Sequence, residues 1–450
     1  MAFQLTPEFL ENVEQLVAQK KRKAIRDLMG EFHFADLAEV LDALETEQAT
    51  YLVKSLESDV TSEALMELDD DVREKILGRL SPNEIARELE EMDTDDAADV
   101  VSELDIAIQQ KVIDRIEDEE HAADIVELLK YDEDTAGGLM AKELVRVKDT
   151  WTTAGCIREM RRQAKNVTRV HSIYVVDKAG VLKGRLSLKD LLTAPERARI
   201  ADIYIPKVDF VTDNTEGEEV ARIMQKYDLE AIPVVNNAGV LLGRVTIDDI
   251  VDFIREEAEK DYQMAAGISG DVEADDSLGK LTKARLPWLL IGMFGGIGAA
   301  SIIDGFGTIL TDFPNLFLFV PLIQATAGNV GVQSSAIVVQ GLANDTLKGN
   351  ITGRLLKETA LALINGLSIA LIVLIFSHLF FNTTYLESIS IGLAVVVVIL
   401  IAALVGTFVP MLLDKKGIDP AVATGPFITT SNDVFGILIY FLIAKLILGI

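Results

Sequence analysis

Along the first 130 or so residues, apolar positions recur at three- and four-residue spacing and are interrupted by acidic turns. FADLAEVLDALETEQATYLVKSL and NEIARELEEMDTDDAADVVSEL show the pattern twice. That period predicts amphipathic helices joined as hairpins, and no strand-like alternation breaks it. Ser81, with Glu84 three residues on, has the spacing of a capping box at one helix start. The region predicts an all-α superhelical domain of the solenoid kind over 1–132. The texture then changes to short apolar runs, with an internal duplication. SIYVVDKAGVLKGRLSLKDLL is echoed about 60 residues later by AIPVVNNAGVLLGRVTIDDIV. Each copy reads strand, Ala-Gly turn, strand, helix, with a further helix upstream (AGCIREM and EEVARIMQKY).

From Leu286 the chain turns apolar. Five stretches, 286–303, 315–343, 358–381, 388–413 and 421–449, come close to the ~20 residues a bilayer-crossing helix needs. The whole pattern predicts a multidomain membrane protein in five parts. These are the superhelix over 1–132, two α/β repeats over 133–200 and 201–261, a linker helix over 262–285, and a five-helix all-α transmembrane domain over 286–450.

Charge sharpens the division. The chain carries 71 acidic and 42 basic residues, and only eight acids and six bases lie beyond Leu286. Nearly all of the net −29 therefore belongs to the first 285 residues. Such a surface repels phosphates, so nucleic acid is not expected as a partner. Clustered carboxylates either serve solubility or hold divalent cations. The single cysteine, Cys156, excludes an intrachain disulfide and fits a small buried residue. The amphipathic N-terminus has no apolar stretch suited to a signal peptide, which keeps the acidic half in the cytosol. Lys280, Lys283 and Arg285 precede the first apolar segment, Lys348, Arg354 and Lys357 follow the second, and Lys415 and Lys416 follow the fourth. The other two loops carry no Lys or Arg, so the positive-inside rule places the N-terminus in the cytosol and the C-terminus outside.

Backbone breaks within a membrane are confined to protein-lined or wet positions. The second segment combines Pro321, Gly328 and Gly331 with Gln324, Asn329, Gln333 and Ser334. The fifth has Gly425 and Pro426, then Thr429, Thr430, Ser431, Asn432 and Asp433. These residues supply oxygen donors suited to a hydrated hard cation, without the imidazole or thiolate that softer metals prefer. The polar residues of the second segment could equally hold helices together, and Gly292 with Gly296 reads as a packing face. Asp433 is different: an ionised Asp at bilayer depth costs ~2.5–3.5 kcal/mol, so its default role is functional. Glu358 and Asp304 fall near predicted helix ends, where headgroups and water solvate them, and His378 reads as interfacial. Two copies facing across a two-fold axis would supply two carboxylates to one ion that keeps its waters.

Gly184, Ser187 and Asp190 in the first repeat correspond to Gly243, Thr246 and Asp249 in the second, and the pair resembles tandem CBS domains. That resemblance implies a nucleotide site at Ser187 and Asp190 or at Thr246 and Asp249. Ser172 stands where an aromatic would stack on adenine, which counts against ATP. At full length the chain resembles the MgtE family of magnesium channels, on YDEDTAGGLM, GNVGVQSS, DPAVATGPF and TTSNDVFG together with the domain order. The resemblance implies a homodimer in the inner (plasma) membrane of a bacterium, in contact with lipid. Its pore would conduct Mg2+ inward down the electrochemical gradient and be lined by Asp433 and Asn329, beside Asn432 and Thr430. It also implies regulatory Mg2+ on Glu63, Asp95, Asp99, Glu216, Glu218, Asp228, Asp249, Asp252, Glu257 and Asp261, whose binding closes the gate. Lys260 replaces one sensor acid, and Gly425 replaces a pore amide. The alternative is a secondary transporter that couples Mg2+ or Co2+ to another gradient, although no inverted repeat is visible in five segments. No nucleophile–base–orienter constellation suggests an enzyme.

Overall fold

A computed structural model describes residues 3–164, 167, 169–270, 272, 274, 276–343, 347, 351–423 and 425–449. Lys348, one of the orienting cations, lies outside them. The chain divides into two compact units, Met1–Arg255 and Glu256–Ile450.

The first unit opens with ten helices among the described residues, from α1 (Pro7–Ala18) to α10 (Glu119–Leu128). Alternate helices stack. α3 (Phe34–Asp42) packs on α5 (Ser58–Met66), α5 on α7 (Pro82–Leu89), α7 on α9 (Ile106–Ile113), and α8 (Thr94–Glu103) on α10. This is the expected superhelix, because each short amphipathic helix can bury its apolar stripe only against its neighbours. The capping box is present: Ser81 N donates to Glu84 Oε2 at 2.7 Å and Glu84 N to Ser81 Oγ at 3.4 Å.

One buried acid is built into this stack. Glu88 is 6 % exposed and accepts from Thr61 Oγ1 at 2.5 Å and Ser58 Oγ at 3.1 Å. Burial pushes its carboxyl up to about 7, against the lowering effect of those two hydroxyls. The native state therefore holds a proton that the unfolded chain releases near pH 4.5. Its contribution to stability is complete below that pH and is lost as pH rises through 7. Glu88→Gln should thus raise thermal stability more at pH 8 than at pH 5, by up to about 3 kcal/mol. Thermal unfolding of the full chain in detergent at the two pH values measures it.

Among the described residues the repeats follow as two three-stranded sheets. In one, β1 (Val145–Lys148) runs parallel to β2 (Ile173–Val176), which is antiparallel to β3 (Leu182–Leu186). In the other, β4 (Val211–Thr212), β5 (Ala231–Val235) and β6 (Leu241–Thr246) repeat that order and sense. Their helices are α11 (Thr153–Gln163), α12 (Leu188–Thr193), α13 (Gly217–Tyr227) and α14 (Ile247–Ala265). The two Ala-Gly turns need glycine, with φ of +83° at Gly180 and +77° at Gly239. They also join the copies: Leu182 N donates to Gly239 O, and Leu241 N to Gly180 O. Cys156 is fully buried among apolar neighbours.

The segment DTAGGLM crosses to the second repeat. Ala136 N donates to Thr215 O, Gly217 N to Asp134 O, and Ala141 pairs with Arg244. The superhelix and the second repeat consequently share one apolar core, whereas the first repeat has its own.

The second unit contains α15 (Leu278–Gly305), two short helices α16 (Gly307–Asp312) and α17 (Asn315–Leu318), then α18 (Val320–Ala343), α19 (Ile351–Phe380), α20 (Tyr385–Asp414) and α21 (Gly425–Leu448). Among the described residues five helices, with α17 continuing into α18, are long and apolar enough to cross a membrane. α20 is the hub and packs on α18, α19 and α21. Several expectations shift. α15 and α19 begin eight and seven residues before the apolar stretches, because their charged first turns continue the helix beyond bilayer length. Within 262–285 no separate linker helix forms among the described residues: α14 ends at Ala265, and 278–285 already belong to α15. The second segment is not broken at Gly328 or Gly331; Pro321 sits in the first turn of a continuous α18. Glu358 is not an end residue solvated by headgroups. It lies inside α19 and is 5 % exposed.

Candidate functional site

In the membrane unit, glycines decide where helices touch. α21 starts at Gly425, whose φ is +48°, and a Cβ there would stand 2.1 Å from the Ala265 carbonyl oxygen. Only glycine meets both conditions. From that start the helix runs unbroken through Thr429–Asp433, so the Gly-Pro pair marks its first turn. On α18, a Cβ at Gly328 would lie 3.2 Å from Asp433 Oδ1, and one at Gly331 would lie 1.9 Å from Asn432 Nδ2. The bare backbone of α18 thus admits the amide and carboxylate of α21 side by side. Gly331 is also tight on its other flank, because its carbonyl oxygen would stand 2.4 Å from a Cβ at Gly406 of α20. Among the described residues, Asn432 Nδ2 and Asp433 Oδ1 are buried without a hydrogen-bond partner. Unsatisfied polar atoms in an apolar surrounding are costly, and a cation with its waters would satisfy them.

The other proposed pore residues are placed apart. Asn329 is exposed on α18. Thr430 turns its methyl towards Gly295 of α15, where a Cβ would come within 1.9 Å. The expected packing face at Gly292 and Gly296 is open within this chain, and Gly295 is the packed glycine. His378 Nδ1 contacts the Thr383 carbonyl oxygen at 3.0 Å, at the far end of α19.

The first unit gathers a second carboxylate site. Oxygens of Asp93, Asp95 and Glu143 lie within 4.8 Å of one another, an arrangement that could hold a metal ion. Asp93 is the N-cap position of α8, which places Asp93, Asp95 and Asp96 at the positive end of a helix. Glu143 arrives from the segment after DTAGGLM and is held by Thr94 N and Oγ1 at 3.3 and 2.9 Å, with His121 Nδ1 3.9 Å from its other oxygen. Asp249 joins electrostatically from the second repeat, its Oδ2 accepting from Thr246 Oγ1 at 2.6 Å and Thr246 N at 3.0 Å.

Burial first, and mutual repulsion second, raise four of these acids. Burial, then Glu143, pushes Asp93 up to about 6. Burial, then Asp249 and Asp93, pushes Asp96 up to about 8. Asp95 is held well above the usual range by burial, then by Asp96 and Asp249. Asp249 is raised by burial and by Asp248, despite the two bonds from Thr246. Glu63 acts on Asp93, Asp99 acts on Asp96, and Asp252 is reached through Asp248.

The structure thus links Glu63, Asp95, Asp99 and Asp249 electrostatically, whereas Asp252 is exposed on α14 and is not among the main charges acting on Asp93, Asp95, Asp96 or Asp249. Glu216 and Glu218 at the start of α13, and Asp228 at its left-handed C-cap, are exposed and are not among the main charges acting on Asp93, Asp95 or Asp96. Sequence reasoning missed Asp93, Asp96 and Glu143. The acid density of EMDTDDAADVV pointed to the first two, but Glu143 is brought in only by tertiary topology.

The same geometry separates the nucleotide candidates. Thr246 and Asp249 are bonded to each other inside a field that repels phosphate. Ser187 caps α12, accepting from Lys189 N at 3.1 Å, and Asp190 lies in that helix's first turn. In the second unit, Lys260 Nζ pairs with Glu257 Oε1 at 2.9 Å. Asp261 is raised by partial burial and then by Asp419, the first residue of DPAVATGPF.

Five membrane helices with a buried amide–carboxylate pair, and an acid-lined unit built from a superhelix and two repeats, define a multi-pass membrane protein with a divalent-cation donor set. Comparison with known proteins agrees. The model of the MgtE intracellular N domain matches residues 32–134, the CBS domain matches 136–197 and 200–256, and the MgtE divalent cation transporter matches 320–443. The magnesium transporter MgtE of Thermus thermophilus is 37 % identical over 328 residues, 72 % of each chain. That of Enterococcus faecalis is 38 % identical over 324 residues, 72 % of this chain and 71 % of its own. Among solved structures, the cytosolic domain of the Mg2+ channel MgtE in complex with ATP superposes with a TM-score of 0.51 at 36 % identity, over 54 % of this chain and 99 % of that one. The chain belongs to the MgtE family.

Proposed function

We propose that the chain is a Mg2+ channel of a bacterial inner membrane that admits Mg2+ down its electrochemical gradient and closes when Mg2+ fills the acid cluster. The observation that carries the reading is the orphaned Asn432–Asp433 pair against Gly328 and Gly331. The names of the relatives, magnesium transporter and Mg2+ channel, supply the ion. Oxygen donors without imidazole or thiolate suit a hard cation that keeps its waters. In a homodimer two Asp433 side chains face one path, and Asn329, exposed in a single chain, supplies a further amide to it. Arg354 and Lys357 in the first turns of α19, with Lys415 and Lys416 just after α20, support a cytosolic N-terminus.

Gating follows from the charges. Above their raised pKa values the cluster acids repel one another, and a divalent cation reverses the sign of that interaction. Because a ligand shifts an equilibrium only through differential affinity, the closed arrangement binds Mg2+ more tightly than the open one. Asp93, Asp95 and Glu143 form the inner ligand set, with Asp96 and Asp249 beside it. We assign no role to ATP, since Ser172 offers no ring to adenine and the acids surround Asp249. Uptake by proteoliposomes containing a Mg2+ dye, driven by a Mg2+ gradient with no proton or Na+ gradient, tests conduction. Uptake that requires such a second gradient overturns the channel and favours coupled transport.

A further inference from the structure

We infer that Glu358 and Ser334 form a clasp that fixes the orientation of α18, making both positioning residues for cation selection in the membrane unit. Ser334 Oγ on α18 donates to Glu358 Oε1 on α19 at 2.7 Å, and each residue is 5 % exposed. The second carboxylate oxygen faces Arg354 Nη2 at 3.9 Å, one turn earlier on α19. Glu358 stands seven residues into its helix, roughly 10 Å along the axis. A carboxylate buried to that degree is costly unless it is paired and hydrogen-bonded. Its hydrogen-bonding partner singles out α18, the helix against which Asn432 and Asp433 are set.

The connection runs through one helix face. Ser334 is three residues from Gly331, so the two lie on neighbouring turns of the same side of α18. Gly331 meets Asn432, and Gly328, one turn further, meets Asp433. A rotation of α18 about its axis would carry both glycines off those side chains and turn Asn329 as well. The glycines themselves cannot resist rotation by interlocking, because they have no side chains. A directional bond to a charged acceptor can, since it weakens steeply with angle. Mg2+ demands near-ideal coordination geometry, whereas Ca2+ accepts irregular surroundings. Loosening the orientation of α18 should therefore cost Mg2+ more than Ca2+.

The inference rests on the transport reading, and its test separates the two. Full-length protein is reconstituted in liposomes, and Mg2+ and Ca2+ fluxes are measured on the same preparation. Their ratio does not depend on how much protein folded. Ser334→Ala should lower the Mg2+:Ca2+ flux ratio about threefold or more. Ser334→Thr, which keeps the hydroxyl, should retain the wild-type ratio. Glu358→Gln should lower the ratio, and the pair Ser334→Ala with Glu358→Gln should lower it no further than the larger single effect. If wild-type liposomes pass Mg2+ and Ser334→Ala leaves the ratio unchanged, the clasp is wrong although transport stands. If Ser334→Thr falls as far as Ser334→Ala, the hydroxyl is not the cause and the clasp is likewise wrong. If wild-type liposomes pass neither ion, the transport reading fails and the clasp falls with it.

Discussion

Asp433→Ala is expected to lose Mg2+ flux about 30-fold or more while unfolding at a higher temperature than the wild type. The two effects have one origin. Asp433 Oδ1 is buried without a partner, so the carboxylate is a cost to the resting fold. Insertion scales put that cost at ~2.5–3.5 kcal/mol, and replacement by alanine removes it. The same charge is what a cation would meet at the α18–α21 contact, where Gly328 leaves it room. Flux normalised to reconstituted protein, together with thermal unfolding in detergent, reads both quantities. Loss of flux with unchanged or lower stability would mean that Asp433 is satisfied in the fold and acts there structurally.

Neutralising the acid cluster should have the second-largest effect. The double variant Asp95→Asn with Asp249→Asn is expected to conduct but to lose most of its inhibition by cytosolic Mg2+. Without Mg2+ it should be more stable than the wild type, because two mutually repelling, desolvated carboxylates are gone. Wild-type protein should gain about 2.7 kcal/mol when Mg2+ reaches 100 times its dissociation constant, and the variant far less.

The pH dependence has a definite sign. Asp93 and Asp96, raised to about 6 and about 8, hold protons in the folded state that the unfolded chain releases at lower pH. The stability they contribute is complete at low pH and is lost as pH rises through those values. Mg2+ takes the place of the departing protons, so its stabilising effect should be larger at pH 8 than at pH 6. Thermal unfolding with and without Mg2+ at both pH values checks this. An equal gain at both would mean that Mg2+ binds elsewhere.

Much of this architecture is legible in the sequence because it rests on local periodicity. The helical hairpins, the Ser81 box, the duplicated repeats and the five membrane helices follow from spacing within twenty or so residues. Asp433 is legible for a different reason: one charge in an apolar stretch is conspicuous whatever the tertiary structure. What fails is whatever the topology supplies. Glu143 reaches Asp93 and Asp95 only because DTAGGLM pairs with the second repeat and leads the chain past the start of α8. Glu358 looked like an end residue because hydropathy cannot see that α19 starts at Ile351. The glycines of α18 looked like helix breaks, yet they are points of close approach, which depend on the residues of the facing helix.

Patch recording from liposomes that contain the purified full-length chain tests the central claim most directly. With Mg2+ as the sole permeant cation on the extracellular side and none on the cytosolic side, the wild type should carry inward current. That current should fall as cytosolic Mg2+ is raised into the millimolar range and should be absent in Asp433→Ala. Mg2+ current of wild-type size through Asp433→Ala, or wild-type current indifferent to cytosolic Mg2+, would contradict the assignment of carboxylates to the path and to its gate.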